Sequence, residues 1–358
     1  MTLRKTLDQL LVPVFQAPMA GVSNPKLAAA VTNAGGLGAL GLGASSWAEA
    51  EAAMSAFRAI SDGPVHVNFF CHDEPKRDPA QEKSWIHRFS TEFEVLGISP
   101  PTALANPYDS SQRDRQLIDF ARTFAPDVMS FHFGLPSENI VEALKSSGTA
   151  VLTSVTNLND AMSALSAGAD GLIAQGIEAG GHRGTFDARH DDAVSTGDLV
   201  AELTRLTDRP IIAAGGIMTG ADILSMMSLG AAACQLGTAF LLCSEASTTA
   251  DYRHQIKQAT SSDTVITRAI SGRAARGINN RITHIGDATL PSDIPDYPIS
   301  YDLTKQLNAI ATKQDVSGYG AYWAGTGVAK TREVTASNLV KSLAAELTTA
   351  RAAAGVSR

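Results

Sequence analysis

The stretch Ile211-Ile212-Ala213-Ala214-Gly215-Gly216-Ile217 is a short apolar run that ends in a double glycine. An amphipathic segment rich in alanine and leucine follows at 220–229, and a second apolar run covers 232–236. This order predicts two parallel strands joined by a helix. The double glycine stands where the first of these strands ends, which is the edge at which parallel α/β sheets bind their ligands.

The same alternation extends upstream through most of the chain. Helical patterns occur at about 24–34, where the double glycine Gly35-Gly36 caps the helix, and at 159–167. Apolar, β-rich runs predict eight strands, at 12–17, 37–40, 65–69, 128–131, 150–154, 171–174, 210–213 and 232–236. Eight strand–helix units predict an α/β fold of the (β/α)8 TIM-barrel type.

The chain is longer than a barrel requires. A typical barrel takes about 250 residues, and this chain has 358. Two segments interrupt the rhythm, at 72–101 and at 248–291. We expect them to form a small, mostly helical cap or substrate domain over the barrel mouth. Residues 1–71, 102–247 and 292–358 would then form the barrel with a C-terminal extension.

The overall composition excludes several classes of function. The net charge is −7 and both signs are scattered, so no basic patch for nucleic acid is expected. No run of about 18 apolar residues suggests a membrane span. Neither a signal peptide nor a metal site is expected, and the three cysteines lie far apart, at 71, 234 and 243. A cytoplasmic location is the default expectation.

Two glycine sites are candidates for a phosphate-binding edge. Gly215 and Gly216 end the seventh predicted strand, and Gln235-Leu236-Gly237-Thr238 ends the eighth and leads into a helical segment. Barrels commonly bind phosphate with the loops after these two strands, because glycine lets backbone N–H groups approach closely. By contrast, the glycines of 36–41 match a dinucleotide fingerprint but follow a helix, so we interpret them as a helix cap and close packing.

The loop after the sixth predicted strand carries the strongest catalytic candidate. It reads Gln175-Gly176-Ile177-Glu178-Ala179-Gly180-Gly181-His182-Arg183-Gly184. A histidine at this face of a barrel could act as a base, a hydrogen-bond donor or a positive charge. His66, His132 and Cys71 also lie near strand ends but are weaker candidates, and Cys234 is expected to be a buried strand residue.

Other residues near strand ends and in the C-terminal part could contact a ligand. Met19 could present an apolar side chain to a flat ring, and Asn68 could hydrogen-bond a heterocycle, although a turn and a helix cap explain them equally well. Tyr301 and Lys305 are one helical turn apart and could reach one ligand, or could simply be surface residues.

Six runs together resemble class I nitronate monooxygenases, formerly called 2-nitropropane dioxygenases. They are the segments 17–25 (Ala-Pro-Met-Ala-Gly-Val-Ser-Asn-Pro), 33–38, 67–72, 133–136 (Phe-Gly-Leu-Pro), 175–184 and 319–325 (Tyr-Gly-Ala-Tyr-Trp-Ala-Gly). The resemblance runs from about residue 12 to about 330. Two small departures are Asn24, where Thr is expected, and Thr326, where Gln is common.

The resemblance implies a TIM barrel with non-covalent FMN. It places the active-site histidine at His182, also a substrate contact, and Tyr108 in the substrate pocket. Flavin contacts are expected at Met19, Asn68, Gln175, Gly180, Gly215, Gly216, Gln235, Leu236, Gly237, Thr238, Tyr297, Tyr301 and Lys305.

The implied reaction is the oxidation of alkyl nitronates by O2 to carbonyl compounds plus nitrite or nitrate, through a flavin semiquinone. Propionate 3-nitronate is the natural substrate usually suggested for the family, which gives the enzyme a detoxifying role as a monomer or homodimer. His182 is expected to donate a hydrogen bond to the anionic nitronate and to stabilise its charge. Two alternatives are an FMN-dependent NAD(P)H enoyl-ACP reductase and a flavin-binding protein without turnover.

Overall fold

Eight parallel strands alternate with helices in the computed structural model, which describes residues 3–111 and 114–355. Each predicted strand is present, with bounds within two residues of the prediction. The strands are Val14–Gln16, Gly38–Gly41, Val65–Phe70, Val128–His132, Ala150–Val155, Gly171–Gln175, Ile211–Ala214 and Ala233–Leu236.

The sheet closes on itself through its first strand. Phe15 is in parallel register with Gln235 of the eighth strand. It also forms a parallel bridge with Leu37, and the Leu37 N–H donates to the Val14 carbonyl at 2.8 Å. The predicted (β/α)8 barrel is therefore confirmed.

Helix starts in the barrel are marked by capping side chains. Ser46 and Thr219 each accept a hydrogen bond from the third helical residue, whose carboxylate bonds back to the capping residue. The α-helices are Leu3–Asp8, Pro25–Asn33, Trp47–Arg58, Pro79–Arg88, Ser90–Val95, Gln116–Phe124, Glu138–Ser146, Leu158–Ser166, Thr196–Leu206, Gly220–Ser228, Ala250–Gln258, Arg281–Asp287, Ile299–Lys313 and Ala336–Ala354. Short 3₁₀ turns cover Thr238–Phe240, Ser261–Asp263, Pro291–Asp293 and Val328–Lys330.

The glycines at 36–41 pack a helix tightly against the second strand. A Cβ on Gly38 would overlap the backbone of Ala28 in helix Pro25–Asn33, and Gly35 has a φ of +95° just after that helix. The interpretation of this motif as a cap and close packing is thus confirmed.

A separate apolar cluster lies outside the barrel. Trp85 and Phe89, from the first predicted cap segment, pack with Ile270 and Ile282 from the second. Helix Ile299–Lys313 contributes to the same cluster with Ile299, Leu303, Leu307 and Ala311. Residues of the two interrupting segments therefore belong to one apolar cluster, and the division into barrel and cap domain stays a prediction.

A three-stranded antiparallel sheet, which the sequence did not indicate, joins this region to the barrel. Thr264–Thr267 pairs with Ala275–Ile278, which in turn pairs with Gly181–His182 of the loop after the sixth barrel strand. Among residues 3–111 and 114–355, no helix has both the length and the apolar character needed to cross a bilayer.

Candidate active site

A cavity of about 1010 Å³ opens at the carboxyl ends of the barrel strands, and residues of both barrel and cap line it. Its size lies at the upper end of small-molecule sites, which are roughly 300–1,000 Å³. Every residue that the family resemblance assigns to the site lies in the cavity wall: Met19, Asn68, Tyr108, Gln175, Gly180, His182, Gly215, Gly216, Gln235, Leu236, Gly237, Thr238, Tyr297, Tyr301 and Lys305.

His182 lies on a glycine-rich loop that the small sheet holds in place. His182 is opposite Ala275 in the antiparallel pairing, and the N–H of Arg183 donates to the Ala274 carbonyl at 2.8 Å. The loop is therefore fixed along the side that faces the cap, in spite of its glycines.

Arg183 points away from the cavity and ties the loop to the barrel. Its side chain is fully buried and forms an ion pair with Asp191 at 2.7 Å. The guanidinium also donates to the carbonyls of Gly176, at 2.6 Å, and of Gln175, at 3.3 Å. Such a planar fork of donors suits several acceptors at once, and the contacts make Arg183 a structural brace.

Gln175 uses most of its hydrogen-bonding capacity on the same loop. Its Oε1 accepts from Arg183 at 3.2 Å and from the Gly184 N–H at 2.8 Å, and its Nε2 donates to the His182 carbonyl at 2.9 Å. One N–H of the amide is left for a ligand. Gln175 therefore positions the histidine loop in addition to lining the cavity.

The imidazole of His182 is enclosed by aromatic side chains. Ring centroids lie within 5.1 to 6.2 Å of it for Phe133, Tyr297, Tyr301 and Trp323. Burial, together with smaller contributions from His132 and Arg273, lowers the pKa of His182 to about 3. At neutral pH the ring is consequently uncharged.

Arg273 is a buried cation close to this histidine. It is 5% exposed, and its Cζ lies 4.2 Å from the Phe133 ring centroid, while Phe133 also contacts His182. It donates to the Thr185 carbonyl, and no carboxylate of the described residues lies within ion-pair distance. Burial lowers the pKa of Arg273 to about 10, so the guanidinium stays charged and gives the site a positive potential.

The predicted phosphate edge combines glycines with one hydroxyl. Gly215 and Gly216 have φ values of +132° and +68°, a region that favours glycine. The Thr238 Oγ1 accepts from the Gly325 N–H at 2.9 Å, which leaves its own hydrogen free to donate. The expected helix after Gly237 is only the 3₁₀ turn Thr238–Phe240, so its dipole adds little.

Polar atoms on the barrel side of the cavity differ in how many hydrogen bonds they make within the protein. The Asn68 Nδ2 donates to the Ser130 carbonyl at 3.1 Å and approaches the Ser130 hydroxyl at 2.9 Å. The Oε1 of Gln235 is buried and has no hydrogen-bond partner among the residues that the structure describes. An unsatisfied buried acceptor is costly, and this one lies where a ligand N–H would satisfy it.

Aromatic residues and one lysine form the cap side. Lys305 Nζ donates to the Tyr108 hydroxyl at 3.0 Å and lies 5.9 Å from the Tyr301 ring centroid. Burial raises the pKa of Tyr108 to about 12. Tyr297 contacts both His182 and Tyr108 by its ring, and its buried hydroxyl has no partner in the described residues.

The weaker catalytic candidates from the sequence differ in whether they line the cavity. His132 lies in the cavity wall and its Nε2 is 3.0 Å from the His182 carbonyl. His66 is buried inside the barrel, 2.6 Å from the Ser130 hydroxyl, and Cys71 is buried in the outer core. Cys234 is fully buried in its strand, as predicted.

Four residues near His182 had no role in the sequence interpretation. Phe133 and Trp323 lie within runs that carry the family resemblance, so a signal for them existed. Ser271 and Arg273 lie in the cap segment, and no motif or spacing marks them. Only the folded chain brings them to the barrel loop.

A (β/α)8 barrel with a ligand cavity at the carboxyl ends of its strands has the architecture of barrel enzymes. The family model "Nitronate monooxygenase" matches residues 2–346, and the chain belongs to that family of flavin-dependent oxidoreductases.

Relatives named nitronate monooxygenase align along nearly the whole chain. One from Paraburkholderia phytofirmans is 44% identical over 94% of this chain and 92% of its own length. Another, from Pseudomonas aeruginosa, is 43% identical over 94% of this chain and 96% of its own length.

Solved structures support the same fold. A nitroalkane oxidase from Streptomyces ansochromogenes superposes with a TM-score of 0.87 at 34% identity, covering 97% of this chain and 99% of its own. FabK from Thermotoga maritima superposes less closely, with a TM-score of 0.71 at 25% identity and 99% coverage of both chains.

Proposed function

We propose that the protein binds FMN and oxidises alkyl nitronates with O2, giving carbonyl compounds plus nitrite or nitrate. The observation that carries this proposal is His182, an uncharged imidazole in the cavity wall at the end of the sixth barrel strand. Around it, the chain offers a glycine edge on one side and an aromatic wall on the other.

The residues present fit a flavin. Gln235 offers an unsatisfied buried acceptor for a ring N–H. Gly215, Gly216 and Gly237 leave room for a phosphate group, and Thr238 has a hydroxyl hydrogen to donate to it. FMN, when bound there, supplies the redox chemistry; the protein supplies position and electrostatic field.

Within this site His182 would donate one hydrogen bond to a nitronate oxygen. An uncharged imidazole cannot also neutralise the anion, which refines the expectation from the sequence. The positive potential would come from Arg273, buried beside Phe133, and from Lys305 at the cap side. Charges placed in advance in a site of low polarity stabilise a developing or bound anion effectively.

The same histidine favours nitronates over neutral nitroalkanes as substrates. Removal of a proton from a nitroalkane requires a base, and a ring with a pKa of about 3 is a poor one. A nitronate has already lost that proton. We therefore expect kcat/KM for a nitronate to exceed that for the parent nitroalkane by at least about 100-fold, measured by oxygen uptake at pH 7. Equal values would contradict the assigned role of His182.

Propionate 3-nitronate remains the proposed natural substrate. It carries a carboxylate in addition to the nitronate group, and Lys305 is an exposed cation beside Tyr108 in the cavity wall. We propose that the cap, extended to include helix Ile299–Lys313, forms the substrate side of the site. The cytoplasmic location, the detoxifying role and a monomeric or dimeric state stay predictions.

Replacement of His182 with Asn tests the proposal. We expect nitronate-dependent oxygen uptake to fall by at least about 100-fold, because the donor to the substrate is misplaced. Bound FMN, released by heat and identified by its spectrum, should remain stoichiometric. The control is His190→Asn, which removes a histidine on the exposed part of the same loop, 68% exposed. Near wild-type turnover of the His182 variant would overturn the assignment.

The rival reductase activity is distinguished by an anaerobic experiment. NADH should not bleach the flavin of this protein, whereas a nitronate should change its spectrum at once. Rapid bleaching by NADH would favour the reductase instead.

A further inference from the structure

Ser271 contacts the catalytic candidate from the cap. Its Oγ lies 2.8 Å from His182 Nε2. Ser271 is fully buried and is not part of the cavity wall, so it does not meet a ligand itself. The other ring nitrogen, Nδ1, makes no hydrogen bond with the residues the structure describes and is not closed off from the cavity. A ligand therefore meets the imidazole at Nδ1.

The distances around the serine indicate where its single hydrogen lies. A hydroxyl donor prefers an acceptor at about 2.5–3.0 Å. His182 Nε2 is inside this range, while the Arg273 carbonyl is 3.2 Å away. The backbone N–H of Arg273 donates to the Ser271 Oγ at 3.4 Å, so the hydroxyl oxygen acts as an acceptor there. The hydroxyl is thus arranged to donate to Nε2.

The turn that carries Ser271 cannot move easily. Gly272 has a φ of +91°, and a Cβ there would meet the carbonyl of Pro295 and, at 2.7 Å, the nitrogen of Tyr297. The Gly272 N–H also donates to the Arg268 carbonyl at 2.7 Å. The position of the hydroxyl is consequently set by backbone contacts.

We infer that Ser271 is a positioning residue which, by donating to Nε2, keeps the N–H of neutral His182 on Nδ1, facing the cavity. The inference rests on the proposed function, in which His182 donates to a nitronate. A neutral imidazole has one N–H, and the partner of one nitrogen decides which nitrogen carries it. With the hydrogen on Nε2, the lone pair of Nδ1 would face and repel an anionic oxygen.

The tautomer is measured directly by ¹⁵N NMR of the full-length protein with labelled histidines. His182 is assigned from its missing signals in His182→Asn. In the wild type we expect a protonated Nδ1 and an unprotonated Nε2, and in Ser271→Ala a shift of the hydrogen toward Nε2. A wild-type Nε2–H, or no change in Ser271→Ala, would overturn the inference.

Kinetics provide the second readout. Ser271→Ala should lower kcat/KM for a nitronate by at least tenfold, and Ser271→Thr, which keeps the hydroxyl, should recover more activity than Ala. The matched control is Ser300→Ala, because Ser300 is an equally buried cap serine whose hydroxyl has no partner within the described part of the chain. The activity of this variant should stay within about twofold of wild type. An Ala variant as active as this control would contradict the role.

The two proposals fail in different ways. If the protein does not oxidise nitronates, the proposed function fails, yet the NMR experiment still reports which ring nitrogen of His182 carries the hydrogen when Ser271 is present. If nitronates are oxidised and the tautomer does not respond to Ser271, only the present inference fails.

Discussion

His182 and Arg183 are neighbours in the chain with opposite surroundings. The histidine faces the cavity, while the arginine is fully buried and makes five hydrogen bonds to Asp191, Gln175 and Gly176. The sequence alone does not tell which of two adjacent polar residues in a glycine-rich loop points to the ligand. The small sheet decides it, because pairing with Ala275 fixes the side on which His182 lies.

A substitution at Arg183 should therefore act on stability before it acts on chemistry. Arg183→Lys keeps the charge but loses the planar fork, so buried acceptors are left without donors. We expect a loss of about 2–4 kcal/mol in the free energy of unfolding, measured with urea. The control is Arg189→Lys, since Arg189 pairs with Asp187 at the surface, 89% exposed, and its replacement should leave the free energy of unfolding nearly unchanged. Equal losses of unfolding free energy in the two variants would contradict the structural role assigned to Arg183.

At the scale of elements, the C-terminal run 319–325 packs against the histidine loop. Trp323 lies 5.1 Å from His182, and a Cβ on Gly180 would stand 2.5 Å from the Gly325 nitrogen. The Gly325 nitrogen and the Ala324 carbonyl carbon, which would be 2.6 Å from the same Cβ, are backbone atoms and cannot rotate away. The sequence motif therefore has a structural meaning: it closes one side of the loop.

Gly180→Ala should consequently separate these two elements. We expect destabilisation by about 1–3 kcal/mol from overpacking, together with weaker cofactor retention after dialysis. Gly197→Ala is the matched comparison, because its Cβ would make only an ordinary 3.5 Å contact within helix Thr196–Leu206. That change should be neutral or slightly stabilising. A Gly180 variant as stable as wild type would show that the loop and the run move apart freely.

Elements were predictable to different degrees for a physical reason. Strands buried on both faces, such as Ile211–Ala214, are continuous apolar runs and are recognised locally. Gly181–His182 has only two residues and becomes a strand through distant partners at 275–278. For the same reason His182 could be found at a strand end, whereas Ser271 and Arg273, which reach it from the cap, could not.

At the scale of the whole molecule, barrel and cap together enclose several histidines in their neutral form. Burial is the main cause that lowers the pKa of His66 to about 3, of His132 to about 4 and of His182 to about 3. Two of these line the cavity, and His66 lies within the barrel. The folded protein is stable only while each of these rings stays unprotonated, because the interior replaces little of the hydration that a charged ring would lose.

The resulting prediction is acid sensitivity in a defined range. An unfolded histidine titrates near 6.5. Because the folded pKa values are lower, the stabilisation is complete above pH 6.5 and is lost as the pH falls toward 3–4. At pH 5 the loss is roughly 2 kcal/mol for each ring, and therefore about 6 kcal/mol for the three together.

Urea unfolding of the holoenzyme at pH 7, 6 and 5 measures this loss. Carboxylates contribute little in this range, since their unfolded pKa values lie near 4. His66→Gln, a change inside the barrel and outside the cavity wall, should reduce this pH dependence by at most about one third, because burial also lowers the pKa of a fourth histidine, His72. Equal stability at pH 7 and pH 5 would mean that the three histidines do not stay neutral in the folded protein. The uncharged state assigned to His182 would then be wrong.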